Sequence, residues 1–230
     1  MLPWQTIETV SAPDGKPVQL RRRGHEFLIR ADGLDLMSSE DEGSSKSLAD
    51  LAIGLLPHPA RRVLVGGLGM GFTLRAALDC VDGTARVEVA ELIEAVAKWN
   101  RDLLAPVANH PLDDPRAALY IGDVRKRIAK PEAPWDAILL DVDNGPDALA
   151  HDGNALIYSR GGLDRAFEAL VPGGVLAVWS FSDDDTFTRR CRQAGFTTRV
   201  ERVSASRKGR GRHHYIWLAQ RPLTRPPKKR

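Results

Sequence analysis

The chain predicts an α/β fold of the doubly wound kind, a mostly parallel sheet covered by helices on both faces. Three observations predict it. From Arg61 onward, short apolar runs bounded by turn residues alternate with stretches of helical period. Runs such as Ala137–Leu140 are apolar without interruption, as suits strands buried on both faces. The first of these strands leads straight into a glycine-rich turn, Gly66-Gly67-Leu68-Gly69-Met70-Gly71, followed by the helix-forming FTLRAALD.

Taken in order, the segment from Met1 to about Met37 reads as extended, with alternating apolar positions and turn signals at Asp14-Gly15 and Asp32-Gly33. A small antiparallel hairpin or meander is expected there, in an N-terminal β region over 1–47. The polar stretch SSEDEGSSKS leads into a helix around Leu48–Leu56, which Pro57 and Pro59 end. Strands follow at 63–67, 86–92, 117–122, 135–142 and 174–180, and helices at about 71–80, 93–104, 159–170 and 184–194. Two further strands, near 197–203 and 213–219, predict an antiparallel hairpin on the sheet edge. The α/β body therefore spans 48–221, and 222–230 is a basic tail.

Composition narrows the function classes. At 230 residues, 43% hydrophobic and 27% charged, the chain is long enough for one substantial core. No run approaches the ~20 apolar residues that cross a bilayer, and the start, MLPWQTIETV, lacks the pattern of a signal peptide, so a cytoplasmic protein with no membrane partner is expected. Cys80 and Cys191 lie far apart, each within an expected helix, and read as small buried residues of a reducing compartment. The six histidines show no ligand spacing, which predicts no metal. Net charge is +3 and the isoelectric point about 9.0. Arg207, Lys208, Arg210 and Arg212 crowd one segment, which reads as a solvated loop more than as a nucleic-acid surface.

The glycine turn places free helix N–H groups beside a backbone that a ligand can approach closely. Glu91, ending the next strand, is placed to accept from both ribose hydroxyls, and the strand ending Gly122-Asp123 offers a carboxylate to an adenine amino group. Three elements in order, each at a strand's carboxyl end, point to a nucleoside. After Gly174 only about 55 residues remain, ending in the expected hairpin, which favours a single nucleoside over a dinucleotide. The run Asp183-Asp184-Asp185 precedes a helix and reads as capping and dipole complementarity.

With these residues in place the chain resembles the spermidine and spermine synthases, the polyamine aminopropyltransferases, over roughly Val18 to Ala219. VLVGGLGMGFTLRAAL, VEVAEL, GDV, WDAILLDVDNGP and NALIYSRGGLDRAFEALVPGGVLAVWS follow the order of that family's motifs. The resemblance implies a Rossmann-like methyltransferase sheet and transfer of an aminopropyl group from decarboxylated S-adenosylmethionine to a small-molecule amine acceptor. It implies Asp141 as the base, Asp143 as a second substrate-binding carboxylate, Tyr158 as an orienting tyrosine, and a homodimer. Gly66, Gly67, Gly69, Gly71, Glu91, Gly122 and Asp123 would hold the nucleoside. Asp147 is a further source of negative charge for an ammonium, and Trp179, at a strand tip, a candidate wall of the acceptor pocket.

Three positions depart from the family pattern. Met70 stands where an aspartate holds the donor's amino group, Ile93 where a second acidic residue follows the ribose-binding glutamate, and Lys46 where a glutamate opens a helix. DVDNGP is also shorter than the usual loop. Two alternatives therefore stay open: an S-adenosylmethionine-dependent methyltransferase of unknown acceptor, and a non-catalytic nucleoside-binding protein.

Overall fold

A computed structural model of the chain describes residues 2–40, 42–142, 156–205 and 212–224. The first four strands, β1 (Gln5–Ser11), β2 (Pro17–Arg23), β3 (Glu26–Ala31) and β4 (Leu34–Ser38), form the expected antiparallel meander. Burial alternates over the first part of β2, where Val18 and Leu20 point inward and Pro17, Gln19 and Arg21 are less buried, as a one-sided sheet requires.

Helix α1 runs over Gly43–Ile53, five residues ahead of the start that the apolar pattern predicts. Its first turn buries two serines through polar partners. The Gly43 N–H donates to the Ala205 carbonyl at 3.0 Å, and Ser44 and Ser45 are each 3% exposed. No apolar periodicity announces such a turn.

The second sheet has seven strands in the order β10-β11-β9-β8-β5-β6-β7. The strands are β5 (Arg62–Gly66), β6 (Arg86–Glu91), β7 (Ala117–Ile121), β8 (Trp135–Leu140), β9 (Leu170–Ser180), β10 (Thr197–Ser204) and β11 (His213–Gln220). Five are parallel, and β10 and β11 close the edge antiparallel, as the sequence predicts. Every residue of β8 is buried, because helices cover both faces. The helices are α2 (Phe72–Cys80), α3 (Glu94–Arg101), α4 (Val124–Ala129), α5 (Arg160–Ala169) and α6 (Asp185–Gln193). Helix α4 was not predicted, since its six residues, VRKRIA, are too few to show a period. Asp184 caps α6 by accepting from the Thr186 N–H at 2.6 Å, and Asp185 stands in its first turn.

From β5 the chain winds outward through β6 and β7, then crosses back to β8 on the other side of β5. The carboxyl ends of β5 and β8 therefore flank a topological switch point, where open sheets of this kind leave a crevice. The meander packs into the same core as the large sheet, and the Trp99 indole N–H of α3 donates to Glu8 of β1 at 2.6 Å. Among the described residues no helix is long and apolar enough to cross a membrane, and no group of three potential ligands could hold a metal ion. Both cysteines are free; Cys191 is buried, whereas Cys80 is only partly so and donates to Asp50 at 3.2 Å. Burial holds both thiols up at about 12, so neither is a thiolate at neutral pH.

Candidate active site

Four strand tips are knitted together by backbone hydrogen bonds. The Gly67 N–H donates to the Ala90 carbonyl at 2.9 Å, that of Gly122 to Glu91 at 2.8 Å, and that of Asp141 to Gly66 at 2.9 Å. Above them lies a cleft of about 810 Å³, floored by these tips and roofed by the meander through Leu28, Ile29, Leu36 and Met37.

The glycine turn forms the floor. Gly67 has φ +86°, and a Cβ there would lie 2.5 Å from the Asp141 carbonyl oxygen, so only glycine fits the switch point. Gly67 and Gly69 line the cleft, whereas Gly66 packs against Leu140 and Val124, and Gly71 against Pro111 and Asn100. These last two shape the turn from behind. Asn100, 1% exposed, donates to the Gly69 carbonyl at 2.7 Å and to Val96 at 2.9 Å, clamping the turn to α3.

Glu91 ends β6 at the cleft wall. Its two carboxylate oxygens accept from the Leu68 N–H at 3.0 Å and the Ile93 N–H at 2.8 Å. Each oxygen keeps a lone pair for a hydroxyl donor. Burial pushes its carboxyl above the usual range, and the surrounding backbone N–H groups pull the other way. Gly122 and Asp123 line the next stretch of wall. Asp123 caps α4, accepting from the Arg125 N–H at 2.8 Å and from its guanidinium Nε at 2.7 Å. Burial works to raise its carboxyl, but the Arg125 bonds and charge outweigh it and hold it below the ordinary value.

Asp141, just past β8, faces the switch point. The Thr73 hydroxyl donates to its Oδ2 at 2.5 Å and the Ser45 hydroxyl at 3.2 Å. Burial pushes the carboxyl up, and the two hydroxyls offset only part of that. Next to it on the sheet, Trp179 and Phe181 leave β9, and His214 enters β11; all three line the cleft. The His214 Nδ1 lies 3.0 Å from the Ser44 hydroxyl. Neighbouring serines of one helical turn thus hold both Asp141 and His214.

Of the residues expected in the site, Gly67, Gly69, Glu91, Gly122, Asp123 and Asp141 meet around one cleft, and Trp179 joins them. Tyr158 does not line it. The tyrosine is 2% exposed, stands edge-on to Phe187 at 5.7 Å, and its hydroxyl is 3.4 Å from the Val142 carbonyl, behind the tip of β8. Asp143 and Asp147 lie outside the described residues. Met70 is fully buried and its N–H donates to the Met37 sulfur at 3.2 Å, while Ile93 lines the cleft and Lys46 is exposed. Ser44, Ser45, Thr73, Asn100, Phe181 and His214 were not predicted. Only Thr73, just inside the helix after the glycine turn, carried a positional signal.

No protein-family model matches the chain. Among curated proteins it is 28% identical over 168 residues to polyamine aminopropyltransferase 2 of Pseudomonas aeruginosa, covering 70% of this chain and 46% of that protein. It is 30% identical over 157 residues to the polyamine aminopropyltransferase of Thermococcus onnurineus, covering 66% and 51% respectively. The chain thus spans about half the length of these relatives. Among solved structures it resembles spermidine synthase of Thermotoga maritima, with a TM-score of 0.73 at 20% identity over 97% of this chain and 75% of that one. It also resembles a spermidine synthase in complex with the transition state analogue AdoDATO, with a TM-score of 0.75 at 20% identity and the same coverage. By motif order and by sequence the chain is similar to the polyamine aminopropyltransferases, and its fold is that of the spermidine synthases.

Proposed function

We propose that the chain transfers an aminopropyl group from decarboxylated S-adenosylmethionine to an amine, with Asp141 as the base. The observation that carries this reading is the setting of Asp141. It stands at the switch point beside the glycine turn, oriented by Thr73 and Ser45, with its proton affinity raised by burial. In the proposed reaction the adenosine lies across Gly67, Glu91 and Asp123, which places the sulfonium over the β5 and β8 tips. The acceptor nitrogen attacks the propyl carbon bonded to sulfur. The C–S bond breaks, its electron pair stays on sulfur, and neutral methylthioadenosine leaves. The proton shed by the nitrogen passes to the Asp141 carboxylate. A sulfonium needs no general acid to depart, so one well-placed acceptor of a proton is enough.

A raised proton affinity suits this role, because Asp141 must take a proton from an alkylammonium centre at neutral pH. The expected outcome is N-aminopropyl product from the decarboxylated donor, and a fall of about 10²–10⁴-fold in kcat for Asp141→Asn. Methylthioadenosine should bind that variant within about twofold of the native protein, measured by calorimetry, since the asparagine keeps the shape of the site. Methylated amine formed from S-adenosylmethionine, with no product from the decarboxylated donor, would replace this reading by methyl transfer. Nucleoside binding without transfer from either donor would leave a binding protein.

A further inference from the structure

We propose that Asp123 and Arg125 act as a pair to read the edge of the nucleobase, so that the cleft takes a 6-oxo purine nucleoside as well as adenosine. This rests on the reading that lays a nucleoside across Gly67, Glu91 and Asp123, and names the class of base the site admits. Arg125 is its specificity-determining residue. A lone carboxylate at the end of β7 suits only a base that offers N–H donors, such as the adenine amino group. A carbonyl oxygen at C6 would face the same negative charge and be repelled.

Arg125 changes the chemistry of that strand tip. Its side chain folds back on Asp123, with Nε donating to Oδ2 at 2.7 Å and Nη2 standing 2.5 Å from the same oxygen. Its backbone N–H donates to Oδ1 at 2.8 Å. Oδ2 is thereby saturated, and Oδ1 keeps a lone pair. The Nη1 amino group takes no part in this fork, and both side chains line the cleft. Against the burial that works to raise it, the fork holds the Asp123 carboxyl below its ordinary value, so at neutral pH it only accepts. The strand tip therefore presents an acceptor beside a set of donors, with the two charges largely cancelled. That arrangement complements the N1–C6 edge of a purine in either form. Adenine gives an amino hydrogen to Asp123 and takes a guanidinium hydrogen on N1. Hypoxanthine gives its N1 hydrogen to Asp123 and takes a guanidinium hydrogen on O6. Val124 and Ile93 line the same cleft and offer both rings the same aliphatic neighbours.

The test is calorimetric titration of the native chain and of Arg125→Leu with methylthioadenosine and with methylthioinosine, its 6-oxo counterpart. The native chain is expected to bind the two within about tenfold of each other, because each base makes a bond to either side chain. Arg125→Leu is expected to widen the ratio about fivefold or more through loss of methylthioinosine, whose O6 is then left against an unshielded carboxylate. Methylthioadenosine should weaken less, since the carboxylate still accepts from its amino group. Tm should stay close to native, because Arg125 is 37% exposed and its backbone N–H keeps the bond to Asp123. Native discrimination against methylthioinosine beyond about tenfold overturns the pairing even without the variant, and so does a smaller widening in Arg125→Leu. In both cases binding of methylthioadenosine leaves the nucleoside reading in place. If neither nucleoside binds the native chain, that reading falls and this inference with it.

Discussion

At the residue scale, Asp141 couples the proposed chemistry to stability. Its carboxyl is raised in the folded chain because burial disfavours the charged form, and Thr73 and Ser45 only moderate this. Ionisation therefore costs more in the folded than in the unfolded state, and stability from this group is present at low pH and lost as pH rises through its folded value. Asp141→Asn, which never ionises, is expected to have the higher Tm at pH 8, with the two curves converging below about pH 4, where the native aspartate is protonated in both states. Thermal melts across that range check it. Glu91 and Asp123 were legible because strand tips followed by turns are visible in sequence. Ser45 and His214 were not, because their partners lie 96 and 170 positions away. Hydroxyls and a lone imidazole gain meaning only when the fold joins such segments.

At the element scale, the turn between β5 and α2 has no room for a side chain at Gly67. Gly67→Ala would force an L-residue into the left-handed region and drive its Cβ against the Asp141 carbonyl. The expected loss is about 2–4 kcal/mol, summed from left-handed strain and overpacking, and read from urea unfolding. Nucleoside affinity should fall with it, since the same turn floors the cleft. The alternation of apolar strands with helices was readable because burial on two faces leaves long apolar runs. The start of α1 was not, because Gly43, Ser44 and Ser45 are held by hydrogen bonds to Ala205, His214 and Asp141 and not by an apolar stripe.

At the scale of the whole molecule, the meander and the large sheet share one core, with Val18, Leu20 and Ile29 packed into the same cluster as Val63 and Val65. The chain is therefore expected to unfold in a single cooperative step. Leu20→Ala, at a fully buried position, should destabilise it by about 2–5 kcal/mol and shift far-ultraviolet dichroism and tryptophan fluorescence together. Two separated transitions would show that the meander is a detachable appendage. That a small β region precedes an α/β body was plain from the change of period at Arg61; that the two would enclose one cleft was not, since nothing local in a strand says what will cover it.

The roof over the glycine turn has one more consequence. Met37, on β4, accepts from the Met70 N–H and stands where a Cβ on Gly69 would touch its sulfur at 2.8 Å. In the proposed reaction the sulfonium lies over the β5 and β8 tips, and the space above it is bounded by a strand of the other sheet. Under that reading, capture of the nucleoside and selection among the groups attached to it fall to separate sheets, and substitutions in the first forty residues are expected to retune what is transferred while leaving nucleoside affinity intact.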